Sequence, residues 1–154
     1  MAIREIVKNN MDFLNKKSRR VEVIDEKIVQ LVDDMKQTLK KSGGVGLAAP
    51  QVGMLKRIFI VDVGQDGQED YVVFINPEVI KTKGKNDKFY EGCLSFPGRT
   101  FKITRPHKVT MRAQNIDGEI FEMQAEDFIA RALMHEYDHL EGIVIPMIGK
   151  EVIE

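Results

Sequence analysis

The chain has 154 residues, of which 43% are hydrophobic and 31% are charged, and it contains no tryptophan. This length and composition predict a single globular domain, residues 1–154, with a hydrophobic core. Lysine and arginine total 23 against 24 aspartate and glutamate, a formal net charge of −1. That balance gives no overall electrostatic attraction to nucleic acid or to a membrane, so the sequence identifies no nucleic-acid site.

The single cysteine, Cys93, cannot form an internal disulfide, which fits a reducing compartment. The first residues lack the apolar run of a signal peptide, and no stretch reaches the length of a membrane span. We therefore expect a cytoplasmic protein that does not enter a membrane.

The first half of the chain predicts a helix, a loop and strands. Apolar residues recur at helical spacing from about Asp25 to Ser42, and Gly43-Gly44 end the helix. A glycine-rich loop at 43–53 precedes predicted strands at 57–63 and 71–77. The more polar segment 79–89 has room for a further strand and a loop.

The second half predicts a hairpin, a second helix and a short apolar run at 143–147. Strands at 106–114 and 119–125 flank Asp117-Gly118, a strong turn signal. The helix starts near Glu126 or Asp127 and ends at Leu140. Strands between two helices predict an α+β fold whose antiparallel sheet packs against the later helix.

Two histidines in this later helix predict a metal site. His135 and His139 are four residues apart, so both imidazoles project from one helical face and can share a cation. Glu136 stands beside them, where a carboxylate reaches a water on the metal without being a ligand. Phe128 and Ala132 occupy the same face, which predicts that the metal face is also the buried face. Taken singly, either histidine is more simply explained as a core or surface residue than as a metal ligand.

A catalytic metal site also needs a third protein ligand. The candidates are Cys93, His107 and the carboxylates, and a surface or structural role is the simpler reading of His107. Cys93 is either an inert buried residue, a nucleophile or the third ligand. The paired histidines favour the ligand.

Three separated stretches resemble the signature motifs of the peptide deformylases: GVGLAAPQ (44–51), EGCLS (91–95) and HEYDH (135–139). The resemblance spans nearly the whole chain. It implies antiparallel β-sheets packed around a central helix that carries the histidines, with an N-terminal helix. It also implies a monomeric cytoplasmic metallohydrolase that removes the formyl group from the formylmethionine of newly synthesised polypeptides and releases formate.

The resemblance implies one divalent metal held by Cys93, His135 and His139. Iron(II) is the expected metal in the cell, and zinc, nickel or cobalt fit the same ligands. Glu136 is then the general base toward the attacking water and later protonates the departing amine. The side-chain amide of Gln51 and the backbone N–H of Leu94 stabilise the oxyanion.

For the substrate, we expect a peptide to pair with the main chain at Val45 and Gly46, while Gly92 gives its backbone room. Phe128 and Ala132 are the candidates for the methionine pocket. Leu133 and Val45 are further candidates, and Arg131 either lines the pocket or lies in solvent.

Glu91 and Arg105 are expected to pair and orient the loop that bears Cys93, with a weak surface salt bridge as the alternative. Met134 departs from the glutamine that many family members carry there, which puts some hydrogen bonding near the histidines in doubt. The chain leaves little room for a long C-terminal helix, so a transient ribosome contact would use another surface. A zinc endopeptidase and a non-catalytic metal-binding protein are the competing functions.

Overall fold

The computed structural model of the chain describes residues 2–153, with backbone only for residues 85–87. Met1 and Glu154, the ends of the predicted domain, lie outside the described residues. The helices are α1 (Met11–Leu14), α2 (Glu26–Ser42), α3 (Asp127–Leu140) and α4 (Ile145–Ile148), with a 3-10 turn at Ala49–Val52. The strands are β1 (Gly46–Ala48), β2 (Ile58–Asp62), β3 (Tyr71–Cys93), β4 (Phe96–Gln114), β5 (Ile120–Glu126) and β6 (Lys150–Glu151).

The strands form one antiparallel sheet in the order β1-β2-β3-β4-β5, with β6 also paired to β4. β2 is buried on both faces because α2 covers one and α3 the other. Ile58 and Ile60 pack in the α2 cluster, whereas Phe59 and Val61 pack in the α3 cluster. This explains why the β2 segment is continuously apolar rather than alternating. The predicted α+β class with a central histidine helix is confirmed.

Both long helices lie within a residue of their predicted bounds. The Asp25 side chain accepts a hydrogen bond from the Ile28 N–H at 3.0 Å and caps the start of α2. Gly43, at φ 74°, ends that helix in the left-handed region that glycine adopts without strain. Along α3, Ala130, Leu133 and Leu140 face the sheet.

Two predictions for the other segments were wrong, and one short helix was not predicted. The glycine-rich segment 43–53 is not simply a loop, because it contains β1 and the 3-10 turn. Segment 79–89 is part of one strand, β3, which continues through three irregularities in its pairing with β4 between residues 75 and 86. The apolar run at 143–147, for which no helix was predicted, contributes to α4. Among the described residues, no helix is both long enough and apolar enough to cross a membrane.

β3 and β4 form a long hairpin whose two faces differ. From residue 101 to residue 113 of β4, odd-numbered residues are buried or half-buried, and even-numbered residues are mostly exposed. The inward face holds Glu91, Cys93 and Arg105, since Glu91 pairs with the buried Phe101 in register. The outward face carries Lys88, Lys102 and their neighbours. Each face therefore presents its own set of side chains.

Candidate metal centre and cleft

Three metal-ligating side chains meet where the β3–β4 hairpin turns. Cys93 ends β3, and His135 and His139 lie one turn apart on α3. The Cys93 Sγ is 3.4 Å from the His139 Nε2, and the two imidazole centroids are 5.2 Å apart. One donor atom from each of these residues lies within 4.8 Å of the others. Two elements that are distant in sequence thus bring the predicted ligands together.

These donors fit a divalent metal. With metal–sulfur near 2.3 Å and metal–nitrogen near 2.0 Å, a tetrahedral ion separates sulfur from nitrogen by about 3.5 Å. Burial, and then the charges of His135 and Arg105, lower the pKa of His139 well below its usual range, so its ring is neutral and can donate an electron pair. At His135, burial opposes protonation, but Cys93, Glu136 and Glu91 outweigh it and raise the pKa. Cys93, Glu136 and Glu91 therefore stabilise a positive charge at His135, and the same groups would attract a metal cation.

Glu91 connects the hairpin to the histidine helix. Its Oε1 is 3.0 Å from the His135 Nδ1, and its two oxygens accept hydrogen bonds from Arg105 Nε and Nη2 at 2.8 and 3.0 Å. Arg131 Nη1 donates a further bond at 2.8 Å. Burial alone raises the pKa of Glu91, but the bonds from His135 and Arg105 outweigh it and hold that pKa far below its ordinary value. The ionised carboxylate holds a proton on Nδ1, which makes Nε2 the nitrogen of His135 that would bind a metal in place of its own proton.

The Glu91–Arg105 pair is buried, with side-chain exposures of 7% and 5%, so the alternative of a weak surface bridge is wrong. Arg105 also donates to the Asp138 Oδ2 at 2.6 Å, a contact that sequence reasoning missed. Arg131 lies neither free in solvent nor only along the cleft wall, since it bonds Glu91 and the Ile103 carbonyl. Two arginines thus neutralise the carboxylates behind the histidines.

Glu136 lies beside the ligands with one oxygen unused. Its side chain is buried and faces the cleft, and Oε1 has no hydrogen-bond partner among the described residues. Burial raises the pKa of Glu136 to about 7, against the lowering effect of His135 and Arg105. A carboxyl group that titrates near neutrality can both accept and return a proton.

Gln51 and Leu94 both lie next to Cys93. The Gln51 Oε1 accepts the Ala48 N–H at 3.0 Å, which directs Nε2 toward the Cys93 Sγ, 3.6 Å away, and the Ser95 Oγ, 3.2 Å away. Leu94 and Ser95 form the turn between β3 and β4, and Leu94 lines the cleft. Ser95 is fully buried and was missed, although it belongs to the EGCLS motif.

The N-terminal segment holds the two loops that carry these groups. The Val7 N–H donates to the Gln51 carbonyl at 2.7 Å, and the Asn9 N–H donates to the Ser95 carbonyl at 2.8 Å. No sequence signal marked either residue, because both act through the backbone. The segment thereby fixes the 3-10 turn relative to the hairpin turn.

A cleft of about 930 Å³ opens over the metal ligands. Its wall includes the predicted substrate residues, which are Val45, Gly46, Gly92, Phe128 and Ala132. Phe128 is 61% exposed, so the prediction that it lies on the buried face was wrong: it stands at the cleft mouth, one turn beyond Ala132. Leu133 is fully buried in the core and does not line the cleft.

Gly46 has a further reason to be glycine. A Cβ at this position would lie 2.7 Å from the Glu136 Oε2, so any side chain would displace the carboxylate. β1 is also an edge strand of the sheet, and Val45 and Gly46 line the cleft beside it. An extended peptide in the cleft can therefore pair with this edge.

His107 belongs to a different group, with Glu126 and Asp127. Its Nδ1 is 3.0 Å from Asp127 Oδ1, and its Nε2 is 3.9 Å from Glu126 Oε2. Met134 is a half-buried hydrophobic residue packed against the α3 cluster, so the helix keeps its fit to the sheet without a glutamine there.

Comparison with known proteins identifies the relatives of this arrangement. A family model described as "Polypeptide deformylase" matches residues 3–150. The peptide deformylase of Clostridium botulinum is 55% identical over 143 residues, which cover 92% of this chain and 93% of that protein. The crystal structure of a peptide deformylase from Legionella pneumophila has a TM-score of 0.90 at 37% identity, over 96% of this chain and 86% of that one. The Ehrlichia chaffeensis peptide deformylase in complex with actinonin also has a TM-score of 0.90 at 37% identity, covering 96% and 89%.

Proposed function

The chain belongs to the polypeptide deformylase family, and from that premise we propose how its own residues carry out the reaction. It is a metal-dependent hydrolase that removes the formyl group from N-terminal formylmethionine and releases formate. This activity takes precedence over the endopeptidase and binding-protein alternatives, because the relatives are named as deformylases.

In this proposal, Cys93, His135 and His139 hold one divalent metal, with iron(II) as its identity in the cell. When bound, the metal supplies Lewis acidity that lowers the pKa of a water molecule and polarises the formyl carbonyl. The observation that carries the proposal is the meeting of these donors within 4.8 Å of one another, beside the buried Glu136. Glu91 keeps the His135 ring in the required tautomer.

Glu136 moves the protons. Its unpartnered Oε1 takes a proton from the water as the water oxygen attacks the formyl carbon. The carbon–nitrogen bond then breaks, and Glu136 returns the proton to the departing amine. The products are formate and a free N-terminal methionine.

Gln51 and Leu94 stabilise the negative charge that develops on the formyl oxygen. The Gln51 Nε2 and the Leu94 backbone N–H donate to this oxygen, and each donor contributes about 3 kcal/mol to transition-state stabilisation. The bond from Ala48 to Gln51 supports this role, because it fixes the amide with its NH₂ group toward Cys93.

The substrate lies along the edge of β1 at Val45 and Gly46, and its backbone passes close to Gly92. Its methionine side chain packs near Ala132, with Phe128 at the cleft mouth. The enzyme acts as a monomer of one domain in the cytoplasm, where it meets N-formylmethionyl polypeptides, and it contacts the ribosome transiently.

Substitution of the base tests this proposal. Glu136→Gln keeps the side-chain size, so the iron-loaded variant should retain one metal per chain, while formate release from formyl-Met-Ala-Ser falls at least about 100-fold. Metal analysis and formate release on the same anaerobic sample measure both. Full turnover by the metallated variant would refute the role of Glu136.

A further inference from the structure

The outward face of the β3–β4 hairpin concentrates positive charge that the overall composition hides. β4 residues 102, 104, 108 and 110 lie on the outward face, together with their register partners on β3 and β6. The exposed lysines on this face are Lys81, Lys83, Lys88, Lys102, Lys108 and Lys150, and we name this set the lysine face. The whole chain nevertheless has a formal net charge of −1. The charge is therefore segregated, not absent.

Strand register places like charges directly opposite each other on this face. Lys83 pairs with Lys108 across β3 and β4, and Lys102 pairs with Lys150 across β4 and β6. Like charges directly opposite on antiparallel strands destabilise a sheet. The fold gains nothing from these pairs, which points to an anion that binds between them.

Carboxylates within the described residues neutralise little of this charge. Glu126 is 3.8 Å from the Lys108 Nζ, and its carboxylate is shared with His107 at 3.9 Å. Farther along β4, Arg112 forms its own ion pair with Glu122. Lys81, Lys83 and Lys108 line a groove of about 390 Å³ together with Thr110, Gln124 and the same Glu126, so three lysines there meet one carboxylate.

The shape of the lysine face selects its ligand. From residue 102 to residue 110 of β4, the stripe extends for about 27 Å at about 3.4 Å per residue, and it is only two or three strands wide. A long hairpin also twists, so a stripe along it does not lie in one plane. A flexible phosphodiester chain can follow such a stripe, whereas a flat membrane surface touches only part of it. The exposed Tyr90, with Lys102 Nζ 5.9 Å from its ring, adds an aromatic surface on which a base can stack.

We propose that the lysine face binds the phosphate backbone of single-stranded RNA. The choice of RNA over other polyanions rests on the proposed function, because newly synthesised polypeptides are produced where RNA is abundant. The cleft opens mainly on the inward side of the same hairpin, where Phe89, Glu91 and Cys93 line it. Tyr90, which pairs with Lys102, also lines the cleft, so RNA on the lysine face would border the cleft at this residue.

Fluorescence anisotropy with a labelled 20-nucleotide oligouridine and the metal-loaded enzyme tests the proposal. The dissociation constant should rise steeply between 50 and 200 mM KCl, because each phosphate that is neutralised contributes about 0.7 to the logarithmic salt slope for single strands. Lys83→Gln/Lys108→Gln should bind about 10-fold more weakly at 150 mM KCl, with a slope lower by about 1.4.

Lys27→Gln/Lys41→Gln is the matched control, since both lysines are exposed on α2 and the change in charge is the same. It should bind RNA like the unaltered enzyme. Both double variants should release formate from formyl-Met-Ala-Ser at the unaltered rate, so a failure of RNA binding is separate from a failure of the proposed function.

Three results would overturn the proposal: no RNA binding at 50 mM KCl, equal losses in both double variants, or tighter lysine-dependent binding to phosphatidylserine vesicles than to RNA. The last result would assign the face to an anionic membrane.

Discussion

The two faces of the β3–β4 hairpin differ in how their charged residues are placed: inward charges are buried and paired, whereas outward lysines are exposed. On the inward face, Glu91 and Arg105 are almost fully buried, and each contacts two or more partners of opposite charge. On the outward face, Lys83 and Lys108 are exposed and stand opposite each other. Solvent screens the outward charges, whereas an inward charge without a partner would carry its full desolvation cost.

The same alternation of side chains therefore serves two purposes. Inward charges are fixed in position, and they in turn fix His135 through Glu91. Outward charges are exposed and contribute to long-range attraction rather than to a defined geometry. A charged residue that faces inward on this hairpin therefore orients the candidate metal site, whereas one that faces outward attracts a partner.

Removing one inward arginine should have the largest effect. Arg105→Met leaves Asp138 and one side of Glu91 buried without their cation, so the free energy of unfolding should fall by about 3–5 kcal/mol. Urea unfolding of the metal-free protein measures it. The matched outward change, Arg112→Met, breaks a pair that is 45% and 46% exposed and should cost at most about 1 kcal/mol. Equal losses would contradict the contrast between the faces.

Neutralising Glu91 should weaken metal binding. Glu91→Gln keeps the shape of the side chain but removes the charge that orients His135, so metal affinity should fall about 10–100-fold. Competition with a chelator, in protein loaded with zinc, gives the affinity. Glu122→Gln on the outward face should leave it unchanged, and a similar loss there would indicate a general charge effect.

Asp34 on α2 is another buried charge that is held by several hydrogen-bond partners. Burial raises its pKa, but hydrogen bonds from the Ala2 N–H, Gln30 and Arg4 outweigh burial and lower it. A lowered folded-state pKa stabilises the fold above the unfolded-state pKa, and this contribution is lost as pH falls through the folded-state value. Asp34→Asn should therefore cost about 1–2 kcal/mol at pH 7.

The cost of Asp34→Asn should shrink as the pH is lowered below about 4. Urea unfolding of both proteins between pH 3 and pH 7 measures the difference. A difference that stays constant across this range would show that the carboxylate charge contributes nothing.

The smallest effect should have the opposite sign. Lys83→Gln removes one like-charge pair on the outward face, so the free energy of unfolding should rise by a few tenths of a kcal/mol, about 0.2–0.5. The gain in stability should disappear in 0.5 M KCl, because salt screens the repulsion between solvent-exposed charges. Replicate urea titrations at both salt concentrations measure this small difference in the free energy of unfolding. A less stable Lys83→Gln variant would mean that the Lys83–Lys108 pair is not repulsive.

Sequence patterns predicted what strong local signals encode. The helices at Glu26–Ser42 and Asp127–Leu140 have an apolar stripe of helical period and clear ends, so their bounds were correct within a residue. The meeting of Cys93 with the two histidines followed from the resemblance and from the four-residue spacing. Short β1 escaped prediction because only its pairing with β2 defines it.

The remaining features depend on tertiary register. Asp138 is visible in the HEYDH motif, but its partner Arg105 comes from a strand 33 residues away. The lysine face was hidden because irregular pairing between Val79 and Lys81, and between Lys83 and Asn86, changes the alternation along β3. Lys150 joins it only through β6. A balanced net charge therefore says little about how charges are distributed over a sheet.

The most direct test is deacylation of formyl-Met-Ala-Ser and acetyl-Met-Ala-Ser, followed as released formate and acetate respectively, by protein purified without oxygen and loaded with iron(II). We predict rapid formate from the formylated peptide, little acetate from the acetylated one, and no formate from Cys93→Ala, which removes a proposed metal ligand. Absence of formate from folded, fully metallated enzyme would contradict this prediction, as would undiminished activity of Cys93→Ala.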